Sequence, residues 1–233
     1  MSKARQIFFL TPVEYALLLA GKGVKRQYTL QADTVQVKEA EVCYAMNHLY
    51  QTGLIDSDME SFHLQEDLER LMNGIKDAEY ILCVRFGRHE KRDFCCFIGK
   101  DVVTGLRLSR IDENSYEVYE TDRTEISDIL VKSLETTQVY HPVLEEEQCY
   151  QKICGSSESL SKELIRKYNN LLMSVERIQP LSGSVEKRFL VCFSEDGICC
   201  DEVWNASQIS SQTKADAKYL KGVLEQMMES EED

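Results

Sequence analysis

The chain has 233 residues, a hydrophobic fraction of 43%, a charged fraction of 29% and a formal net charge of −13. That length leaves room for one large domain or two small ones, and the composition is ordinary for a soluble globular protein. So acidic a surface repels phosphate backbones and anionic lipid headgroups, which argues against nucleic acid or a membrane as partner. Three Pro and eleven Gly leave little material for long disordered linkers. Cys83, Cys95, Cys96, Cys192, Cys199 and Cys200 sit in apolar runs, as reduced, buried thiols of a cytoplasmic protein do. The first six residues lead straight into the apolar run Ile7 to Leu10, too short for a signal segment. No apolar run approaches the roughly 20 residues that span a bilayer. A cytoplasmic location is expected.

Ile7 to Leu10 reads as a strand feeding a helix over about residues 12–20. Thr11 is its N-cap, Pro12 its first residue and Glu14 the third member of a capping box. Gly21 and Gly23 end it. A second helix is predicted over 37–51, with Val42, Met46, Leu49 and Tyr50 on one face and Gly53 as its stop. Leu54-Ile55 and Phe62 to Leu64 read as short extended pieces before a third helix over 65–77 that carries Leu68, Leu71, Met72 and Ile75. Next comes an antiparallel meander: Tyr80 to Phe86, Asp93 to Ile98, Val102 to Ile111 and Tyr116 to Tyr119. Asp122, with Glu125 three residues on, starts a fourth helix with Ile126, Ile129, Leu130 and Leu134 as its stripe.

The second half starts near residue 137. His141-Pro142-Val143 opens a helix that Gly155 closes, and a long helix is predicted from Glu158 to Ile178. Phe189 to Phe193 and Ile198 to Trp204 form a hairpin around Ser194 to Gly197. Thr213 caps the last helix, whose face holds Tyr219, Leu220, Val223, Leu224, Met227 and Met228.

Glu90-Lys91-Arg92-Asp93-Phe94-Cys95-Cys96-Phe97 is echoed 96 residues later by Glu186-Lys187-Arg188-Phe189-Leu190-Val191-Cys192-Phe193, with five of eight positions identical. Each copy takes a charged triplet, read as solvated turn residues, into a buried strand. Both halves also share an order: Pro-opened helix, further helix, antiparallel strands, closing helix. The reading is an α+β fold: a central antiparallel sheet with helical bundles and two pseudo-symmetric halves, 1–136 and 137–233, in one continuous domain.

No catalytic constellation is visible, so no enzyme is expected, and no cofactor or metal. The four His, at 48, 63, 89 and 141, lie in no Cys/His or Ser/His family context. His48 reads as a structural helix residue. Cys149 and Cys154 with nearby His141 lack zinc-site spacing, and adjacent Cys on a strand point to opposite faces. Gly21-Lys22-Gly23 lacks a phosphate-loop frame. Glu41 to Leu64 has the helix–Gly–Leu–Ile–wing layout of winged-helix domains, but Glu39, Glu41, Asp56, Asp58 and Glu60 are acidic where a DNA-reading face is basic.

Three features in this order resemble the EspG family of type VII (ESX) secretion chaperones. They are Phe8-Phe9-Leu10-Thr11-Pro12-Val13-Glu14-Tyr15-Ala16-Leu17-Leu18, Leu49-Tyr50-Gln51-Thr52-Gly53-Leu54-Ile55-Asp56, and the Leu68-Leu71-Met72 helix followed by the meander from Tyr80. The resemblance implies a cytoplasmic, non-enzymatic adaptor that holds the tip of a helical secretion substrate. That substrate is a PE–PPE pair in the family, and a WXG100 or LXG protein would be its analogue. Contacts are expected from the loop Gly87 to Arg92, through Arg88, Lys91 and Arg92, and from the closing helix, through Tyr219, Val223 and Met227. A winged-helix regulator binding DNA or protein is the alternative.

Overall fold

The computed structural model describes residues 6–24, 30, 38–58, 61–86, 93–112, 114–137, 171–194, 197–203, 209–214 and 217–229. The fold is α+β. The described residues form two compact units, Met1–Glu79 with Phe94–Thr121, and Tyr80–Asp93 with Asp122–Asp233. The division expected after residue 136 follows chain order; these units follow spatial contact.

The first unit contains an antiparallel sheet of β1 (Ile7–Leu10), β7 (Tyr116–Thr121), β6 (Val103–Leu108) and β5 (Phe94–Ile98), paired in that order. Its helices are α1 (Pro12–Gly21), α2 (Glu39–Gln51) and α3 (Glu66–Lys76), with a ribbon of β2 (Ile55–Ser57) and β3 (Phe62–Leu64). α1 starts as its sequence dictates. The Glu14 N–H donates to Thr11 Oγ1 at 3.2 Å and the Thr11 N–H donates to Glu14 Oε2 at 2.7 Å, closing a capping box. One sheet face and the helices share a core of Leu10, Tyr15, Leu19, Leu68, Leu71, Leu106, Tyr116 and Val118, all buried. Tyr15 and Tyr116 meet edge to face at 5.5 Å. Lys22 Nζ donates to Glu69 Oε1 at 2.5 Å, joining α1 to α3.

On the other face of this sheet Glu117 is buried beside Arg107, its cross-strand partner. Arg107 Nε donates to Glu117 Oε2 at 2.6 Å, and its guanidinium lies 5.1 Å from the centre of the Tyr119 ring. That ring covers Gly105: a Cβ there would come within 2.6 Å of it.

The second unit pairs β4 (Tyr80–Phe86), β8 (Leu171–Ile178), β9 (Val185–Ser194), β10 (Gly197–Val203) and β11 (Ile209–Lys214), all antiparallel. Two helices, α4 (Arg123–Thr137) and α5 (Ala217–Met228), pack on each other. α4 begins at the expected cap, where the Glu125 N–H donates to Asp122 Oδ1 at 2.8 Å. The chain order of four strands and then a helix thus occurs twice, from β4 to α4 and from β8 to α5.

Several expectations are corrected. Residues 171–178 are a strand, not the end of a helix. Met173 to Ile178 are buried on both faces, and a strand covered on both sides loses the period-2 signal and mimics a helical stripe. Thr213 does not cap the last helix; it lies in β11, and the helix starts at Ala217. β11 has one apolar residue in Ile-Ser-Ser-Gln-Thr-Lys, so hydrophobic pattern could not mark it. The triplet Glu186-Lys187-Arg188 is not a solvated turn but part of β9, with Arg188 buried. Its twin, Glu90 to Arg92, lies outside the described residues, as do the helix at Pro142 and residues 158–170 of the long helix.

Three expectations follow. Gly105→Ala must displace the Tyr119 ring and should lower stability by about 1–3 kcal/mol in urea unfolding. Gly222→Ala in α5, where a Cβ meets nothing within 4 Å, should raise it by about 0.5–1 kcal/mol. Burial works to raise the Glu117 pKa, but the hydrogen bonds from Arg107 and the Arg110 N–H, the Arg107 charge and the Ser109 bond together hold it below its ordinary value. Its ionised form therefore stabilises the fold fully above the unfolded value of about 4.3. That contribution disappears as pH falls through the lower folded value. The acid limb of a stability-against-pH curve should be shallower in Glu117→Gln than in the parent protein.

Candidate functional site

α2 lies at the margin of the first unit. Of its thirteen residues only Ala45 and Leu49 are buried, so it depends on a few directional links. The main one comes from Glu14. One carboxylate oxygen closes the α1 capping box, and the other lies 2.5 Å from Nδ1 of His48 on α2. Glu14 is buried and His48 half exposed, so a carboxylate committed to starting one helix also fixes the next.

The end of α2 is tied as closely. Thr52 Oγ1 donates to the His48 carbonyl at 2.8 Å. Gly53, at φ 71°, turns the chain, and the Leu54 N–H donates to the Leu49 carbonyl at 3.0 Å. The Gln65 N–H, just before α3, donates to the Leu54 carbonyl at 2.9 Å. The ribbon pairs Ile55 with Leu64 and Ser57 with Phe62. At its tip the Ser61 N–H donates to Asp58 Oδ1 at 2.8 Å, and His63 Nε2 lies 2.9 Å from Asp58 Oδ2.

Three aromatic side chains are exposed on these elements. Tyr44 is 76% exposed, Phe62 68% and Tyr50 54%. Glu39, Glu41, Asp56 and Asp58 are exposed on the same two elements, and neither α2 nor either ribbon strand contains Lys or Arg. These two elements thus expose aromatic side chains and negative charges together. A cleft of about 580 Å³ beside α3 is lined by Glu66, Glu69, Arg70, Asp77, Glu79 and Lys100 among others. Glu69 is paired with Lys22, and Arg70 with Glu120 at 2.5 Å. Among the described residues no cluster of three or more His, Cys, Asp and Glu could hold a metal ion. No described helix is long and apolar enough to cross a membrane.

The residues expected to contact a partner do not come together on this surface. Arg88, Lys91 and Arg92 lie outside the described residues, as do His141, Cys149 and Cys154. Tyr219 stays at the surface of α5 at 37% exposure, whereas Val223 and Met227 are buried. That is a correction with a simple cause: with α5 packed on α4, the Leu220, Val223, Leu224 and Met227 stripe is core, which closes it to a partner in this conformation. The sequence reading missed Tyr44 and Phe62 and set Tyr50 on the buried face of α2. One signal was available, since Tyr44 lies off the Val42, Ala45, Leu49 stripe at 100° per residue. Phe62 gave none, because a three-residue strand is too short to reveal alternation. No protein-family model and no curated protein matches the chain.

His48→Ala should leave the buried Glu14 carboxylate without its imidazole partner. With His48 half exposed, the cost is discounted to about 1–2 kcal/mol. Amide exchange in α2 should speed up well before that in α3.

Proposed function

We propose that this protein is a non-enzymatic cytoplasmic adaptor or chaperone that binds a helical secretion substrate of a type VII-like system. The observation that carries the reading is the exposure of Tyr44, Tyr50 and Phe62 on two elements free of Lys and Arg. Aromatic side chains are the usual anchors of a protein interface. An acidic surround selects a helix whose apolar face carries basic residues and repels acidic competitors. The EspG-like order of elements agrees with this role. The twice-occurring run of four strands and a helix, read as a quasi-twofold repeat, is what that family leads one to expect. A WXG100 or LXG protein, or a PE–PPE-like pair, is the partner to try, and contact then centres on α2 and the ribbon.

One observation favours a second reading. A helix followed by a two-stranded ribbon is also the layout of a winged helix, and this suggests a regulator. Glu39, Asp56 and Asp58 would repel DNA phosphates from that face, so in such a regulator the ligand would again be protein.

The test is calorimetric binding of the purified chain to small helical secreted proteins of its own host. Tyr44→Ser with Phe62→Ser should weaken binding at least tenfold, about 1.4 kcal/mol or more, while the unfolding temperature stays within a few degrees. Binding equal to that of the parent protein, or no binding partner among those proteins, would overturn the reading. A salt-sensitive shift of duplex DNA would favour the regulator.

A further inference from the structure

His48 and His63 are the histidines among the described residues, and each meets a carboxylate. Nδ1 of His48 on α2 lies 2.5 Å from Glu14 Oε1 of α1. Nε2 of His63 on β3 lies 2.9 Å from Asp58 Oδ2 and 2.8 Å from Ser61 Oγ. With no Lys or Arg on α2 or in either ribbon strand, these two rings are the side chains there that can carry positive charge. A carboxylate oxygen only accepts, so the ring nitrogen beside it must carry hydrogen. Neutral imidazole has one N–H and meets this need in one tautomer alone, whereas imidazolium donates from both nitrogens. The protonated contact is also charge-assisted and roughly twice as strong.

The surroundings of both rings are acidic. Of the elements packed on α2, α1 brings Glu14 to His48, and Lys22 at its end is bound to Glu69. β2 carries Asp56 as its titratable side chain. Within one turn of His48 on α2 itself, the titratable side chain is Tyr44. His63 stands opposite Asp56 in the ribbon. Its charge also reaches Glu69 on α3, whose carboxyl is held below its ordinary value chiefly by the hydrogen bond from Lys22.

We propose that His48 and His63 make α2 and the ribbon a pH-responsive unit: with both rings protonated the two elements are held firmly, and as pH rises and the protons leave they loosen. Imidazole is the side chain whose charge ordinarily changes between about pH 5 and 8, so the change falls near neutrality. As regulation of partner binding the inference rests on the adaptor reading; as a property of the chain it does not.

The test is amide exchange of the full-length chain at about pH 6 and about pH 8, with each rate divided by the intrinsic rate at that pH. Protection in α2 and in β2–β3 should fall about three- to tenfold across that interval, while α3, in the same unit, changes less than about twofold. His48→Gln keeps an N–H donor without the charge. It should abolish the dependence in α2 and retain it in the ribbon, and His63→Gln should do the converse. Equal changes in α2, the ribbon and α3, or a dependence that survives the matching substitution, would overturn the proposal. If a variant fails to fold, the His48 ring signals of the parent protein decide. Their NMR titration midpoint should coincide with that of the α2 change, and a separation of more than about one pH unit sinks the idea. Because the readout needs no partner, a failed search for one leaves this result intact, and pH-independent protection leaves the adaptor reading intact.

Discussion

The second unit depends on how it buries the adjacent, opposite charges of Glu176 and Arg177. They sit near the C-terminal end of β8, between β4 and β9, and both are buried. Neighbours on a strand point to opposite faces, so each face must satisfy one charge. Glu176 accepts from Nε of Arg188, its opposite residue on β9, at 2.7 Å, and Arg85 on β4 approaches it at 3.6 Å. Arg177 lies over the Tyr80 ring at 4.0 Å and donates to the carbonyls of Met227 and Glu229 at 3.1 and 2.8 Å. It also donates to Glu186 at 3.0 Å. Removing one member of such a pair leaves an uncompensated buried charge, at a cost of about 3–5 kcal/mol. A one-residue slip of β8 would exchange the two faces and strand both charges, so the pair fixes register more firmly than apolar side chains could.

The same residues determine where the last helix ends. A helix leaves its final carbonyls unpaired, and a cation near them is favourable. Arg177 supplies that cation, and the Tyr80 hydroxyl donates to the Met228 carbonyl between the two that Arg177 holds. The bond to Glu186 depends on an irregularity. β9 pairs residue 187 with Arg177 and residue 185 with Ile178, so Glu186 is an extra residue in the ladder. Without this bulge Arg177 would face Lys187 alone, a like-charge pair on a buried face. The bulge brings a carboxylate to the guanidinium instead.

This explains what the sequence could and could not reveal. α1, α2, α3 and α4 were legible because caps and stripes are local signals: Thr11 with Glu14, Gly53 after α2, Asp122 with Glu125. Tyr80 to Phe86 was legible because seven consecutive residues between turn signals leave little choice. β8 was not. Leu171, Leu172, Val175 and Ile178 fit a helical stripe as well as a strand, and only the cross-strand partners of Glu176 and Arg177 decide between them. The triplet Glu186-Lys187-Arg188 was taken for a turn by the same logic, because three charges in a row normally mean water. Its meaning depends on residues about ten positions away, which pattern reading cannot pair. The α2 and ribbon surface was hidden for the opposite reason. Exposure is an absence of neighbours: Tyr44 betrayed it only by its place off the helical stripe, and Phe62 had no local signal at all.

The two units also dispose of their apolar helical faces differently. α5 carries Val223, Leu224, Met227 and Met228 inward and is held at its C-terminus by a buried arginine and tyrosine. Opening it to a partner would break those bonds and expose a packed stripe. α2 buries two side chains, is fixed by one His–Glu contact and a turn, and already displays its aromatics. On the proposed reading, a partner at α2 and the ribbon would meet aromatic side chains that are already exposed, so little ordering entropy would oppose association. A partner that used α5 would first have to compete with the core of this chain, whereas Tyr44, Tyr50 and Phe62 are already exposed.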